Sequence, residues 1–313
     1  DLALSLLDRG QAQAAGAVAA DIVAPETVLD MLIDRRFDAI TTAAADRYDL
    51  GKVAVRRLAA LRAASAAAPD KLKGFNAIVS ALLSEGRPGE ALALIDDAIK
   101  RARPADGAHS TFTDLDELNW AYDLRSRALL LLGRGDEALA SMKAGAERTE
   151  NGQSNVSQQL NLGELYVHLD RPAEALDAIK TVSPDKVSAY GRMDREGVRA
   201  EAFAQLHDRA GLAASLAYMK AHADEAPAWL IEVSIETGDT EGAAQTTIRM
   251  LADPIQRPQA LELVQDAIVP DTAPDYLKRF HQGIAALRER PDVKAAIDRV
   301  GRVMVVPLMT NQL

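Results

Sequence analysis

Five histidines, at 109, 168, 207, 222 and 281, are the imidazoles with which this chain could ligate a metal or move a proton. None falls in a His-Glu-x-x-His array and no His-x-His pair occurs, so the helical spacing that clamps zinc is missing. Glu164 and His168 stand four apart on one helix face, which is half of a metal site; without further ligands a surface Glu–His pair is the simpler reading. His207-Asp208 belongs to a turn and reads as a cap or a solvated pair. Cysteine is absent, which removes disulfides, thiolate ligands and Cys nucleophiles. No Gly-x-Ser-x-Gly elbow, Walker loop or dinucleotide-binding glycine fingerprint occurs. Carboxylates are plentiful, but helices place them on solvated faces, and no glycosidase-like pair can be picked out. Asn155-Val156-Ser157 matches a glycosylation acceptor, a pattern short enough to arise by chance. No catalytic residue, metal or cofactor is therefore expected.

Composition points the same way. The 313 residues exceed the size at which one compact core stops growing, so several domains or an elongated repeat is expected. Apolar residues make up 48% and aromatics only 4%, which suits close helix-on-helix packing of Ala, Leu, Ile and Val. A charged fraction of 26% is that of an ordinary folded protein. The net charge of −10 and a pI near 5.1 argue against nucleic acid or an anionic membrane as partner. The basic runs Arg56-Arg57 and Lys100-Arg101-Ala102-Arg103 fall at helix ends, where they complement the dipole. No apolar stretch reaches the roughly 20 residues that span a bilayer. The chain begins at Asp1 without Met, for which a cleaved signal peptide is one explanation, and a periplasmic location is slightly favoured over a cytoplasmic one.

The elements that must position any site announce themselves by repetition. Gly86-Arg87-Pro88-Gly89-Glu90-Ala91-Leu92, Gly133-Arg134-Gly135-Asp136-Glu137-Ala138-Leu139 and Asp170-Arg171-Pro172-Ala173-Glu174-Ala175-Leu176 are one phrase with small edits. Each reads as a turn, the opening of a second helix, and a small Ala where two helices approach. Gly or Asp relieves the backbone where the first helix stops, and Pro88 and Pro172 suit the first turn of the next. Aligned on Ala54, Ala91, Ala138, Ala175, Ala213 and Ala243, the units recur every 30 to 47 residues, around the ~34-residue period of a helix–turn–helix repeat. Leu162-Gly163, Tyr166, Ala175, Leu176 and Ile179 make the best unit. Tyr122, Leu129, Gly133, Ala138 and Leu139 make another, and Phe75, Leu82, Gly86, Ala91, Ile95 and Ala98 a third. Over residues 72–182 this pattern resembles the tetratricopeptide repeat. On either flank it is degenerate: Leu7–Ala12, Leu206–Gly211 and Gly238–Ala243 keep the turn without the aromatic positions. Glu26–Ala45 and Lys52–Ala68 would form the hairpin after the first.

Three segments break the period. Arg103–Thr113 reads as a polar insertion, after which Thr113 or Asp114 caps the following helix with Glu117 in support. Asn151–Ser157 and Ser183–Gly197 read as connectors. Beyond Pro254, helices punctuated by Pro258, Pro270, Pro274 and Pro291 read as a bundle capping the stack. Val303–Val306 is the one strand-like run. The apolar tail Val303–Met309 packs on the last helices, fills the groove, or marks an attachment to a partner.

The resemblance implies an all-α, right-handed α-solenoid of antiparallel helical hairpins over 1–253, with a helical C-terminal cap and tail over 254–313. It also implies that the first helix of each pair lines an inner groove. That projection places Asn76, Ser80, Ser84, Trp120, Asp123, Arg127, Leu160, Glu164, His168, Gln205, Glu232 and Glu236 on or near the concave face. Trp120 is either the best single anchor for an extended peptide or a core residue between helices. The Lys/Asn constellation with which some members of the family hold a C-terminal carboxylate is absent. The expected function is a non-enzymatic scaffold or adaptor for a protein or peptide partner, with a bacterial envelope assembly or export system as the setting that composition suggests. Two other classes stay open: a small-ligand or peptide sensor closed by Ser183–Gly197, and an enzyme on a helical scaffold, whose mark would be a deep pocket with two carboxylates of displaced pKa.

Overall fold

Six turns legible in the sequence are the same object in space. The computed structural model of the chain describes residues 2–103, 109–150 and 153–306. Within them Gly10, Gly86, Gly133 and Gly238 take φ between +67 and +81°, and Asp170 and His207 take +55 and +56°. At each turn that residue's N–H bonds back three residues and the next N–H bonds back five. Gly133 N to Leu130 O is 3.0 Å and Arg134 N to Leu129 O is 2.9 Å. This double bond satisfies carbonyls orphaned at the helix end, and it requires left-handed backbone, which glycine adopts without strain. In the three central turns the residue that follows is an Arg whose side chain grips the Glu three places on. Arg87–Glu90, Arg134–Glu137 and Arg171–Glu174 close at 2.6 to 2.9 Å. These pairs are exposed, so they fix the geometry of the helix start more than they stabilise the fold.

Five residues past the left-handed position comes the small residue that lets the hairpin close. Ala15, Ala91, Ala138, Ala175 and Ala243 are all fully buried. Ala213 departs from this reading: it is exposed, one place out of register. The close approach in that hairpin falls on Gly211, where a Cβ would meet the Phe203 ring at 2.7 Å. Ala54 is buried but sits within a long helix rather than after such a turn.

Among the described residues the chain forms eighteen α-helices. They pair as α1 (Leu2–Asp8) with α2 (Ala12–Ala19) and α3 (Pro25–Ile33) with α5 (Leu50–Ala67), the short α4 (Asp38–Thr41) lying between. Then come α6 (Leu72–Ser84) with α7 (Pro88–Ala102), α8 (Leu118–Leu131) with α9 (Gly135–Ala146), and α10 (Val156–His168) with α11 (Pro172–Ile179). The series ends with α12 (Ala189–Gln205) and α13 (Arg209–Ala221), then α14 (Pro227–Glu236) and α15 (Thr240–Ala252). Successive first helices touch, α6 to α8 and α10 to α12 to α14, with α8 and α10 joined by the Asn161–Asp123 hydrogen bond, which makes an all-α solenoid of antiparallel hairpins. A close approach within this stack falls at Gly163, where a Cβ would meet Ile179 Cγ2 at 2.5 Å.

The C-terminal helices α16 (Arg257–Leu263), α17 (Asp275–Glu289) and α18 (Pro291–Val300) cover the last hairpin, and α16 also reaches the second. α16 packs on α3; Asp34 and Gly301 form a bridge, and Arg302 N donates to Ile33 O at 2.9 Å. Arg302 pairs with Asp38, and Arg36 reaches Pro254 O at 3.3 Å. One core accordingly combines residues 15–54 with residues 228–306, a second runs from Leu58 to Ala202 and takes in Ala273, Tyr276 and Leu277, and a smaller third joins α12, α13 and α14 through Met193, Met219 and Leu230. The strand-like run is confirmed at β4 (Val305–Val306), which pairs in parallel with β3 (Asp266–Ala267), while β1 (Thr149–Glu150) and β2 (Gln153–Ser154) form a short antiparallel ladder. Val306 is buried, so this part of the tail packs on the last helices; residues 307–309 lie outside the described residues.

The connectors also differ from expectation. Of the insertion, residues 104–108 lie outside the described residues, but Phe112 is buried edge-on against Phe75. Asp114 caps a helix, though not the following one: its carboxylate accepts from Leu72 N and Lys73 N at the start of α6. Ser183–Gly197 is mostly helix, since Ser188 caps α12 and everything after it is wall rather than loop. Asn155 is buried as the N-cap of α10, which removes it as an exposed glycosylation acceptor; residues 151–152 of that connector lie outside the described residues.

Candidate functional site

Four consecutive first helices and α17 enclose a cavity of about 400 Å³. Each helix presents one face to it, as the spacing of its lining residues shows. α10 contributes Asn161, Glu164 and His168; α12 contributes Tyr190, Asp194 and Glu201; α14 contributes Trp229, Glu232 and Glu236. α8 sends in Arg127, and α17 closes the cavity from inside the curve with Tyr276 and Phe280. α17 is held there by Thr272, whose hydroxyl donates to Leu131 O at 2.8 Å, and by the Tyr276 ring, which stacks on His168 with centroids 3.7 Å apart. Gly197 lets the Trp229 indole lie against α12, because a Cβ there would stand 3.1 Å from the ring.

The wall is strongly acidic. Arg127 is its one positive residue among the described lining side chains, and its Nε donates to Asp123 at 2.9 Å. Asp123 in turn accepts from Asn161 at 3.2 Å. The remaining carboxylates face the cavity while protein surrounds them, so water stabilises their ionised forms poorly. Burial pushes Glu164 up to about 7, with Arg127 opposing the rise and Asp123 adding to it. Burial, then the charges of Glu164 and Glu236, push Glu232 up to about 8. Burial likewise raises Asp194, with Glu164 adding to it, and Glu201, with Glu164 and Glu236 adding. Glu236 is also raised by burial, with Arg279 pulling the other way. His168 is pushed down to about 3 by burial and then by Arg127 and Arg279, so it is a neutral stacking partner at physiological pH. The Glu164–His168 pair is thus an inward-facing pair, not a surface one. Among the described residues no group of three His, Asp or Glu side chains is placed to hold a metal ion.

Of the residues projected onto the inner groove, Arg127, Glu164, His168, Glu232 and Glu236 meet at this cavity, and Asp123 stands behind Arg127. The others do not join them. Asn76 is buried and donates to Glu117 O at 3.1 Å, and Gln205 donates to Val167 O at 2.9 Å. Ser80 and Ser84 line a separate hollow of about 210 Å³ with Arg57 and Glu85. Leu160 is a core residue. Trp120 is not core: it is 38% exposed and stands outside the cavity, whose indole is Trp229. The residues not foreseen, among them Asp194, Glu201, Trp229 and Tyr276, share one signal. They fall at helical spacing on inward-facing helices, on the face where an isolated amphipathic helix would be apolar.

Residues 119–143 and 157–179 match the family model described as Tetratricopeptide repeat. These segments are α8/α9 and α10/α11, so the two central hairpins are tetratricopeptide-like repeats. No curated protein and no solved structure matches the chain.

Proposed function

We propose, from the tetratricopeptide-like hairpins at its centre, that this chain is a non-enzymatic binding module that takes an extended segment of a protein partner on its inner face. Repeats of this kind mediate protein–protein interaction. What carries the reading to a place is the cavity between α8, α10, α12, α14 and α17, where the inner faces of four hairpins converge. On composition we assign the partner to a bacterial envelope assembly or export system. A photo-crosslinking residue placed at Trp229 or Tyr190 is expected to trap one discrete partner in the native host, and the same residue at outward-facing Glu137 to trap none. Adducts from Glu137 alone would overturn the assignment of the face.

Deep carboxylates of displaced pKa are also what a catalyst on a helical scaffold would show; the binding reading rests instead on the tetratricopeptide-like hairpins. An acid–base pair needs environments that push its members apart. Glu164, Asp194, Glu201, Glu232 and Glu236 are all pushed upward. A second reading, a receptor for a small molecule, is favoured by the volume of about 400 Å³, which lies within the usual range for such ligands. A lid formed by Ser183–Gly197 is not part of it, because α12 is wall.

A further inference from the structure

We infer that the cavity is a receptor for an organic cation, a primary ammonium or guanidinium group on an apolar stem, supplied by a lysine or arginine side chain of the bound segment or by a free polyamine. This rests on the reading of the cavity as the binding region. Carboxylates from α10, α12 and α14 face one cavity, while Arg127 is engaged with Asp123. An independent observation says that something polar belongs there. Tyr276, a lining residue of the cavity, is only 6% exposed, and its hydroxyl is buried with no hydrogen-bond partner among the described residues. Asp194 Oδ1, Glu236 Oε1 and Trp229 Nε1 are also buried without one. A buried hydroxyl left unmatched is costly, and N–H groups of a ligand are the donors that would match it and the two carboxylate oxygens.

The shape selects the class of cation. The acidic groups are spread along three helices instead of converging on one point, which suits an elongated cation with several N–H groups better than a bare metal ion. Trp229, Tyr190 and Phe280 supply apolar walls for the methylene stem and π-faces for its charged end.

The test is titration calorimetry on the full chain with spermidine and with a lysine-containing pentapeptide, against the acetyl-lysine pentapeptide as neutral control. Binding of either cation and not of the acetylated peptide is expected; spermidine alone would identify a free polyamine as the source, the peptide alone a side chain. Glu232→Gln should weaken binding tenfold or more and Tyr276→Phe several-fold, whereas Glu147→Gln, at an exposed helix end, should leave it unchanged. Equal weakening by Glu232→Gln and Glu147→Gln would reduce the effect to general attraction by the net charge and overturn the inference. So would failure of both cations to bind at millimolar concentration to protein whose circular dichroism is native. If cations fail while crosslinking from Trp229 still traps a partner, the cation assignment falls and the binding face stands. If spermidine binds while crosslinking from Trp229 traps nothing, the cation site stands and the protein-segment reading falls.

Discussion

Replacing Glu232 by glutamine should make this protein more stable, and by an amount that depends on pH. The side chain keeps its shape and loses its charge. In the unfolded chain the carboxyl ionises at its ordinary value of 4.5, whereas in the cavity burial and the neighbouring charges of Glu164 and Glu236 hold it at about 8. Below pH 4.5 it is protonated in both states and has no influence. Between 4.5 and 8 the unfolded chain releases the proton and the fold keeps it, so each rise in pH favours unfolding. Above pH 8 the full penalty would approach about 5 kcal/mol at 1.36 kcal/mol per pH unit. The cavity is open to water and its carboxylates share their burden, so the expected gain from Glu232→Gln is about 1–3 kcal/mol at pH 8 and under about 1 at pH 5. Urea unfolding of both proteins at pH 5, 6.5 and 8, followed by circular dichroism, reads this directly. A variant no more stable than its parent at pH 8, or a gain that does not change with pH, would refute the electrostatic account of the cavity. The same substitution should weaken cation binding. A change that stabilises the fold while harming the ligand is the behaviour expected of a site rather than of structural packing.

Three further outcomes follow from the geometry. Ala175→Leu, at a fully buried helix contact, should destabilise by about 1–3 kcal/mol through overpacking, while Ala213→Leu, on an exposed face, should stay within about 0.5, as urea midpoints will show. Gly301→Ala would put a Cβ 2.6 Å from Ile33 O and 2.5 Å from Leu261 Cδ2, so it should lower stability and speed amide exchange in α3, with α8 and α10 protected as before. Spermidine binding at pH 7 should displace protons from Glu164 and Glu232, on the order of one per site, seen as a binding enthalpy that varies with the buffer's ionisation enthalpy.

The turns were legible because left-handed backbone leaves few choices of residue, and Gly86, Gly133 and Gly238 advertise it. Pro88 and Pro172 marked helix starts for an equally local reason. Where the sequence misled, the deciding partner lay far along the chain. Asp114 carries a genuine capping signal, yet the helix it caps begins at Leu72, before the insertion. Ala213 looked like its counterparts because the unit around His207 keeps the turn and shifts the contact to Gly211. The cavity was half legible: Glu164, Glu232 and Glu236 followed from the repeat pattern, but each is indistinguishable alone from a solvated acid. Only the supercoil that turns these faces together, and α17 laid across them, makes one enclosure. Which tryptophan faces inward depends on that same curvature, and local pattern favoured Trp120 over Trp229.

The seam between α3 and the C-terminal helices has a mechanical consequence. An open solenoid behaves as a spring, its pitch lengthening under load and its end repeats fraying first. Here Asp34, Gly301 and Arg302 turn the spring into a hoop. A hoop cannot lengthen without breaking its clasp, so load along the array should open the seam near Ile33 first. Closing that clasp also joins residues more than two hundred positions apart, which makes it a late event in folding. The chain should assemble its central hairpins quickly and acquire its bore last.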